Sequence, residues 1–341
     1  MTRPAGIECA RLHIVRAFER AEQVIQGPLP VARLRNVLYQ PSALERGQGL
    51  QVFDDGAIPL EASYYDYVAD FAREQLSRRE ISCLPQPSTA LEIADVQGDV
   101  CILANLFSRN FTHWHEELLK VVAIEAAELP CTYVLSGLPP FTRELLGLIG
   151  IPTQRILEVN RPLRFSSVLY PAAISYDNIC EHPAVFHLLR ERLLQAITDQ
   201  PSSDTPPQLW LERGAQTRLG RRLVNGEEVE RLLKRQGVER VDLGALPVIQ
   251  QLSLARDAQL LAGPHGSAFV HSQLMPPGSA VVECFSPLYL NPTYTNIYRL
   301  QRHRYSLVVG THSRLFPYPH GEDVYVDLPQ LELALDTARH G

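Results

Sequence analysis

The chain has 341 residues, with 32 Lys and Arg against 38 Asp and Glu and a formal net charge of -6. That length exceeds the usual single-domain size, so two domains of about 150 to 200 residues are expected, and the charge balance excludes a general polyanion binder such as a nucleic-acid protein. The six cysteines are scattered without a Cys-x-x-Cys pair, which is the usage of a reduced compartment rather than of a disulfide framework or a zinc site. With no run of about 18 apolar residues and no apolar signal core at the N-terminus, the expectation is a soluble cytoplasmic protein, with peripheral membrane association left open.

Residues 7–26 carry Leu12, Val15, Phe18 and Ala21 between charges, the pattern of an amphipathic helix or an extended arm. Strands are expected over 36–40 and 50–53 and a helix over 64–80, where Tyr64, Tyr65 and Tyr67 favour core packing over a sugar site. A regular block follows: strand 100–104, helix 110–128, strand 132–135, helix 141–149, strands 155–159 and 167–170, and helix 183–198. Apolar runs alternating with helical patterns argue for parallel βαβ units covered on both faces. Residues 199–208 are rich in Pro and Ser and contain no apolar residue, which marks a linker between an N-terminal domain, 1–198, with a helical arm, and a C-terminal domain, 209–341. Beyond it the alternation restarts, with strand 209–211, helix 227–235, strand 238–243 and helix 247–258. The final tail, 293–305 and 324–328, is read as able to cross back towards the first half.

The stretch 259–285 stands out. Gln259-Leu260-Leu261-Ala262-Gly263-Pro264-His265-Gly266-Ser267 reads as a buried strand, a tight turn and the first turn of a helix, and Ala280 to Phe285 as a second buried strand containing Glu283. Unpaired N–H groups and the dipole at such a helix start favour an anion, and Gly266 permits close approach of a ligand to the backbone. The same four residues would also serve simply to turn the chain. At the start of the second half, Arg213, Arg218, Arg221 and Arg222 precede Asn225, Glu227 and Glu228. Guanidinium groups grip phosphate oxygens through paired, charge-assisted hydrogen bonds; the alternative is a solvated basic loop, with Asn225 and Glu228 in a capping box.

In the first half, Asn110-Phe111-Thr112-His113-Trp114-His115-Glu116-Glu117 is chemically the densest segment. On a helix, Phe111, Trp114, Leu118, Val121 and Val122 form the buried face, His113 and Glu117 share one margin of it, and His115 lies on the other. Imidazole titrates near neutrality, so a His beside a carboxylate can move a proton; a plain His/Glu pair on a helix flank fits equally well. No Gly-x-Gly-x-x-Gly, Walker A or Gly-x-Ser-x-Gly pattern occurs, which removes the best support for dinucleotide oxidoreduction, NTP hydrolysis and a hydrolase triad.

Taken in order, these segments resemble the glycosyltransferase family 61 pattern: Asn110 to Trp114 with Glu117, then Arg213, Arg222 to Asn225, Gln250 or Gln251, Gly263 to Ser267, and Glu283. The sequence departs from the family at Gly226, which replaces the usual acid, at Ser267, which replaces the common Ala, and at His271, where Asn is frequent. The resemblance implies an α/β, GT-B-like architecture of two Rossmann-like domains with mostly parallel sheets and an interdomain cleft. It further implies an inverting, metal-independent hexosyl- or pentosyltransferase that needs no cofactor, takes a UDP-sugar donor and serves a glycan or other hydroxyl acceptor, as in bacterial surface polysaccharide synthesis. In that reading Arg213, Arg222, Asn225, His265, Gly266, Ser267 and Glu283 form the donor site, with Glu283 accepting from ribose hydroxyls. Glu117 and His113 are the catalytic pair; Glu117 is favoured as proton acceptor, and the reverse assignment stays open. The competing reading is a non-catalytic nucleotide-sugar or glycan-binding protein of the same fold.

Overall fold

The computed structural model describes residues 13–27, 29–41, 49–53, 57–59, 93–103, 110–172, 182–201, 208–213, 222–312 and 323–340. The expected helix over 64–80 and the residues Arg218 and Arg221 lie outside them. The chain divides into two compact units, Met1–Leu189 and Arg190–Gly341.

In the first unit, β1 (His13–Val15) pairs in parallel with β5 (Ala57–Pro59). The main sheet combines β2 (Gln23–Ile25), β3 (Val31–Pro41), β4 (Gly49–Val52), β6 (Ala94–Ile102), β7 (Thr132–Leu135), β8 (Ile156–Glu158) and β9 (Leu163–Pro171). Its order is β2-β3-β9-β6-β7-β8, with β4 also on β3. The β9-β6-β7-β8 part is parallel, whereas β2, β4 and β9 all run antiparallel to β3. This sheet is therefore mixed, with a parallel β9-β6-β7-β8 part and an antiparallel part around β3. Helices α1 (Phe111–Ala126) and α2 (Pro140–Leu148) continue the alternation, and α3 (Pro183–Ala196) runs across the division after Leu189.

The arm preceding this sheet is not helical in its described part. Residues 13–25 form β1, a 3₁₀ turn over Ala17–Arg20 and β2. The β-branched pairs Ile14-Val15 and Val24-Ile25 favour strands, and the apolar spacing of three between Val15, Phe18 and Ala21 fits a 3₁₀ turn better than a 3.6-residue helix. Ala17 is buried there, with Phe18 and Ala21 packed on the core of β3, β6 and β9.

The second unit is a five-stranded, wholly parallel sheet, in the order β11-β10-β12-β13-β14. Its strands are β10 (Gln208–Leu211), β11 (Glu239–Val241), β12 (Leu260–Pro264), β13 (Ala280–Phe285) and β14 (Arg304–Val309). Every residue of β12 and β13 is buried, as continuous apolar strands of a parallel sheet covered on both faces should be. Helices α4 (Gly226–Gln236), α5 (Val248–Asp257) and α6 (Thr295–Gln301) connect the strands, and β15 (Thr311–His312) pairs with β16 (Val324–Tyr325).

One face of this sheet, carrying Trp210, Leu260, Ala262, Val282 and Val308, packs on Val229 and Leu232 of α4 and on Leu331 and Leu335 of α7 (Leu328–His340). Helix α7 thus covers this face of its own sheet. Its apolar residues recur at helical spacing, and the face they cover is the one that α4 alone leaves open. Among the described residues no helix is long and apolar enough to cross a membrane.

Candidate functional site

In the parallel sheet, β10 is followed by β11 on one side, and the chain then returns to β12 on the other side of β10. Ligands of open α/β sheets lie beyond the carboxyl ends of the strands where the order reverses in this way. The strand ends at this point are Arg213, two residues past β10, and the Gly263-Pro264-His265-Gly266 turn closing β12. Gly263 has φ +152°, and a Cβ there would stand 2.6 Å from the Leu211 carbonyl oxygen. The two strand ends can approach only because that Cβ is missing. Arg213 Nη1 donates to the His265 carbonyl, and a Cβ on Gly266 would stand 2.8 Å from this Nη1 and 3.2 Å from Cζ. A guanidinium therefore rests directly on the turn, at the place in the sheet where an anionic ligand is expected.

His265 is held on every side. Its backbone N–H donates to the Cys284 carbonyl at 2.8 Å, and Nδ1 lies 2.5 Å from Glu283 Oε1. The ring stacks on Phe285 at 4.7 Å, with Tyr289 and Tyr294 at 5.6 and 5.5 Å. Glu283 is 1 % exposed, and its other oxygen accepts from the hydroxyls of Tyr298, at 3.1 Å, and Tyr305, at 3.4 Å. Burial, then the neighbouring Glu283 charge, raises the pKa of both phenols, so they stay protonated donors. The sequence-based role of Glu283 as a partner for ribose hydroxyls meets a carboxylate committed to three protein donors. In this structure Glu283 serves His265.

The segment after the turn, expected to start a helix, is a 3₁₀ helix, Ser267–Leu274. His271 Nδ1 meets the Ala268 carbonyl at 2.9 Å, and burial lowers its pKa to about 4, keeping it neutral within the core.

Two expected donor residues have other attachments. Asn225 occupies the N-cap position of α4 but its side chain does not cap the helix; the expected capping box is absent. The carboxamide instead donates to the Val326 carbonyl at 2.8 Å and accepts from the Val326 N–H at 3.0 Å, pairing like one more residue of a ladder. Arg222 is 76 % exposed, with its backbone N–H and Nη2 on the Asp323 carboxylate at 2.8 and 3.1 Å. Of the expected arginines among the described residues, Arg213 is the one on the His265 turn.

In the first unit, β6 lies between β7 and β9, and α1 follows the carboxyl end of β6. Asn110 caps α1 by accepting from the Thr112 N–H at 3.0 Å. The helix has no semi-exposed margin at Glu117: residues Trp114 to Ile124 are all buried. Glu117 is 0 % exposed and pairs with Lys120 at 3.1 Å. Burial raises its pKa, with Lys120 partly offsetting that shift. His113, 14 % exposed, has its Nδ1 3.5 Å from Glu116 Oε2. His113 and Glu117 thus each have an i,i+3 partner, Glu116 and Lys120, and the His113 charge also acts on Glu117. That spacing also places residues on one helical face, and it is the signal that could have found Glu116 and Lys120.

The family model described as Glycosyltransferase 61 matches residues 111–282, half of the chain, from the first residue of α1 to the middle of β13. A comparison with curated proteins finds no match.

Proposed function

The chain belongs to glycosyltransferase family 61 and is a glycosyltransferase; from that premise we propose an inverting, metal-independent enzyme that takes a UDP-sugar on its second unit and an acceptor on its first. In this GT-B reading the sugar is a hexosyl or pentosyl unit, the acceptor a glycan or other hydroxyl compound, and the setting bacterial surface polysaccharide synthesis on the cytoplasmic side. The observation that carries the proposal is the seating of Arg213 on the His265–Gly266 turn at the switch point of the parallel sheet.

Transfer with inversion forms one bond and breaks another. The acceptor oxygen attacks the anomeric carbon, the bond from that carbon to the phosphate oxygen breaks, and its electron pair leaves with UDP. The charge that develops on the diphosphate requires fixed positive or donor groups in a site shielded from water, and Arg213 with its fork of N–H donors supplies them. His265, whose Nδ1–H donates to Glu283, presents the Nε2 lone pair, which accepts from a hydroxyl of the bound UDP-sugar.

The acceptor proton goes to a base on the first unit. The geometry favours His113 over Glu117: His113 is the more exposed of the two and has Glu116 as a partner, whereas Glu117 is sealed against Lys120. His113→Ala should then lower turnover by about 100-fold or more while leaving UDP affinity intact, as loss of a general base does. Normal turnover by that variant would move the base elsewhere. Transfer should also survive EDTA; loss with recovery on adding Mn2+ would overturn the metal-independent part. The sealed Glu117 also suits the second reading, a nucleotide-sugar-binding protein without transferase activity. That reading predicts UDP binding but no UDP release from UDP-sugars in the presence of acceptor.

A further inference from the structure

Glu283, Tyr298 and Tyr305 all lie beyond the stretch matched by the family model, yet they form one hydrogen-bonded cluster behind His265. The three come from three elements. Glu283 is on β13, Tyr298 on α6 and Tyr305 on β14. Val281 is the register partner of Tyr305 and Glu283 that of Leu307, so Tyr305 and Glu283 project from the same face of the sheet, one step apart diagonally. Tyr298 reaches the same carboxylate from the helix covering that face, and the two phenol rings stack at 4.9 Å and 29°. A carboxylate buried to this degree needs donors for each oxygen. Both hydroxyls converge on Oε2, which leaves Oε1 to His265 Nδ1.

We infer that Tyr298 and Tyr305 are positioning residues of the donor site: by occupying Glu283 Oε2 they fix the carboxylate, and through it hold His265 with its proton on Nδ1 and Nε2 turned to the ligand. A ring nitrogen engaged by a carboxylate in this way sets which tautomer the imidazole adopts. The stacking of Phe285 on the His265 ring restrains its tilt, but stacking does not distinguish the two nitrogens. Only the Glu283 hydrogen bond does so, and the tyrosine hydroxyls orient that bond. The assignment of a UDP-sugar hydroxyl to this imidazole rests on the proposed function above; the tautomer itself does not.

The test uses the full chain carrying 15N-labelled histidine. Side-chain correlation spectra at alkaline pH report which ring nitrogen of His265 bears the proton, with the signal assigned by its loss in His265→Gln. Tyr298→Phe, Tyr305→Phe and the double variant remove hydroxyls while keeping both rings stacked, so the packing role of the tyrosines is preserved. The wild type should show a single Nδ1–H form. The double variant should show a mixture of tautomers or exchange broadening, with UDP affinity lowered about 10-fold or more, as when outer-shell partners of oriented imidazoles are removed elsewhere. Should the double variant fail to fold, Tyr305→Phe alone carries the test, because Tyr305 lies on the edge strand and is partly exposed. A His265 signal identical to that of the wild type in the folded variants would overturn the positioning role even if UDP binds normally. A tautomer that changes in a protein blind to UDP would keep that role and remove the donor reading instead.

Discussion

Gly263 and Gly266 stand three residues apart in one turn, and the structure assigns them different work, which separate alanine substitutions should expose. At Gly266 the backbone is extended, with φ 176°, so alanine brings no backbone strain. The added Cβ would stand 2.8 Å from Arg213 Nη1, and the guanidinium must retreat from it, giving up its bond to the His265 carbonyl. A hydrogen bond to a charged group contributes about 1.5–3 kcal/mol, which corresponds to about 10- to 150-fold in affinity if that guanidinium holds the diphosphate. The fold should barely notice, because the displaced atom is the tip of a long side chain. At Gly263 the clash is with backbone, 2.6 Å from the Leu211 oxygen, at a φ of +152°. Alanine there should destabilise by about 3–5 kcal/mol through strain and overpacking at the sheet centre. Calorimetric titration of UDP together with denaturant unfolding separates the two outcomes. If Gly266→Ala binds UDP as tightly as the wild type, Arg213 does not hold the nucleotide from this position, and the reasoning from the turn fails.

Two further outcomes follow from buried polar groups. Asn225→Ala should destabilise the second unit by about 2–4 kcal/mol, because it orphans both the N–H and the carbonyl of Val326. It should leave UDP affinity unchanged, and a lost affinity in a folded variant would return Asn225 to the donor site. For Glu117, burial raises the folded-state pKa above its usual 4.5, so the folded protein binds that proton more readily than the unfolded chain. Its contribution to stability is present while the group is protonated and declines as pH rises through the folded-state pKa. Glu117→Gln, which mimics the protonated form, should therefore compare best with the wild type near neutrality and lose that advantage on acidification in unfolding experiments; a difference independent of pH would contradict the buried-carboxylate account.

The parallel sheet of the second unit was legible because its central strands are unbroken apolar runs bounded by turn residues. Leu260–Pro264 and Ala280–Phe285 need no partner to be recognised. The antiparallel edge of the first unit was not, since β3 alternates Arg33 and Arg35 with buried Ala32 and Leu34, and its pairing with β9 is a long-range register that no local pattern carries. Arg213, His265 and Gly266 could be proposed from residue type and turn chemistry. The tyrosine pair on Glu283 could not, because it exists only where α6 and β14 meet β13. The ladder-like pairing of Asn225, read as a donor residue or alternatively as a helix cap, was hidden for a related reason: its partner, Val326, is 101 residues away.

Whether the switch-point turn holds a nucleotide diphosphate for sugar transfer is read most directly by following UDP release from a panel of UDP-sugars, with glycan acceptors and EDTA present, for the wild type and Arg213→Ala. The account predicts one UDP released for each sugar transferred by the wild type, and loss of both UDP release and UDP binding in a folded Arg213→Ala protein. Undiminished release and UDP binding by that variant would contradict it.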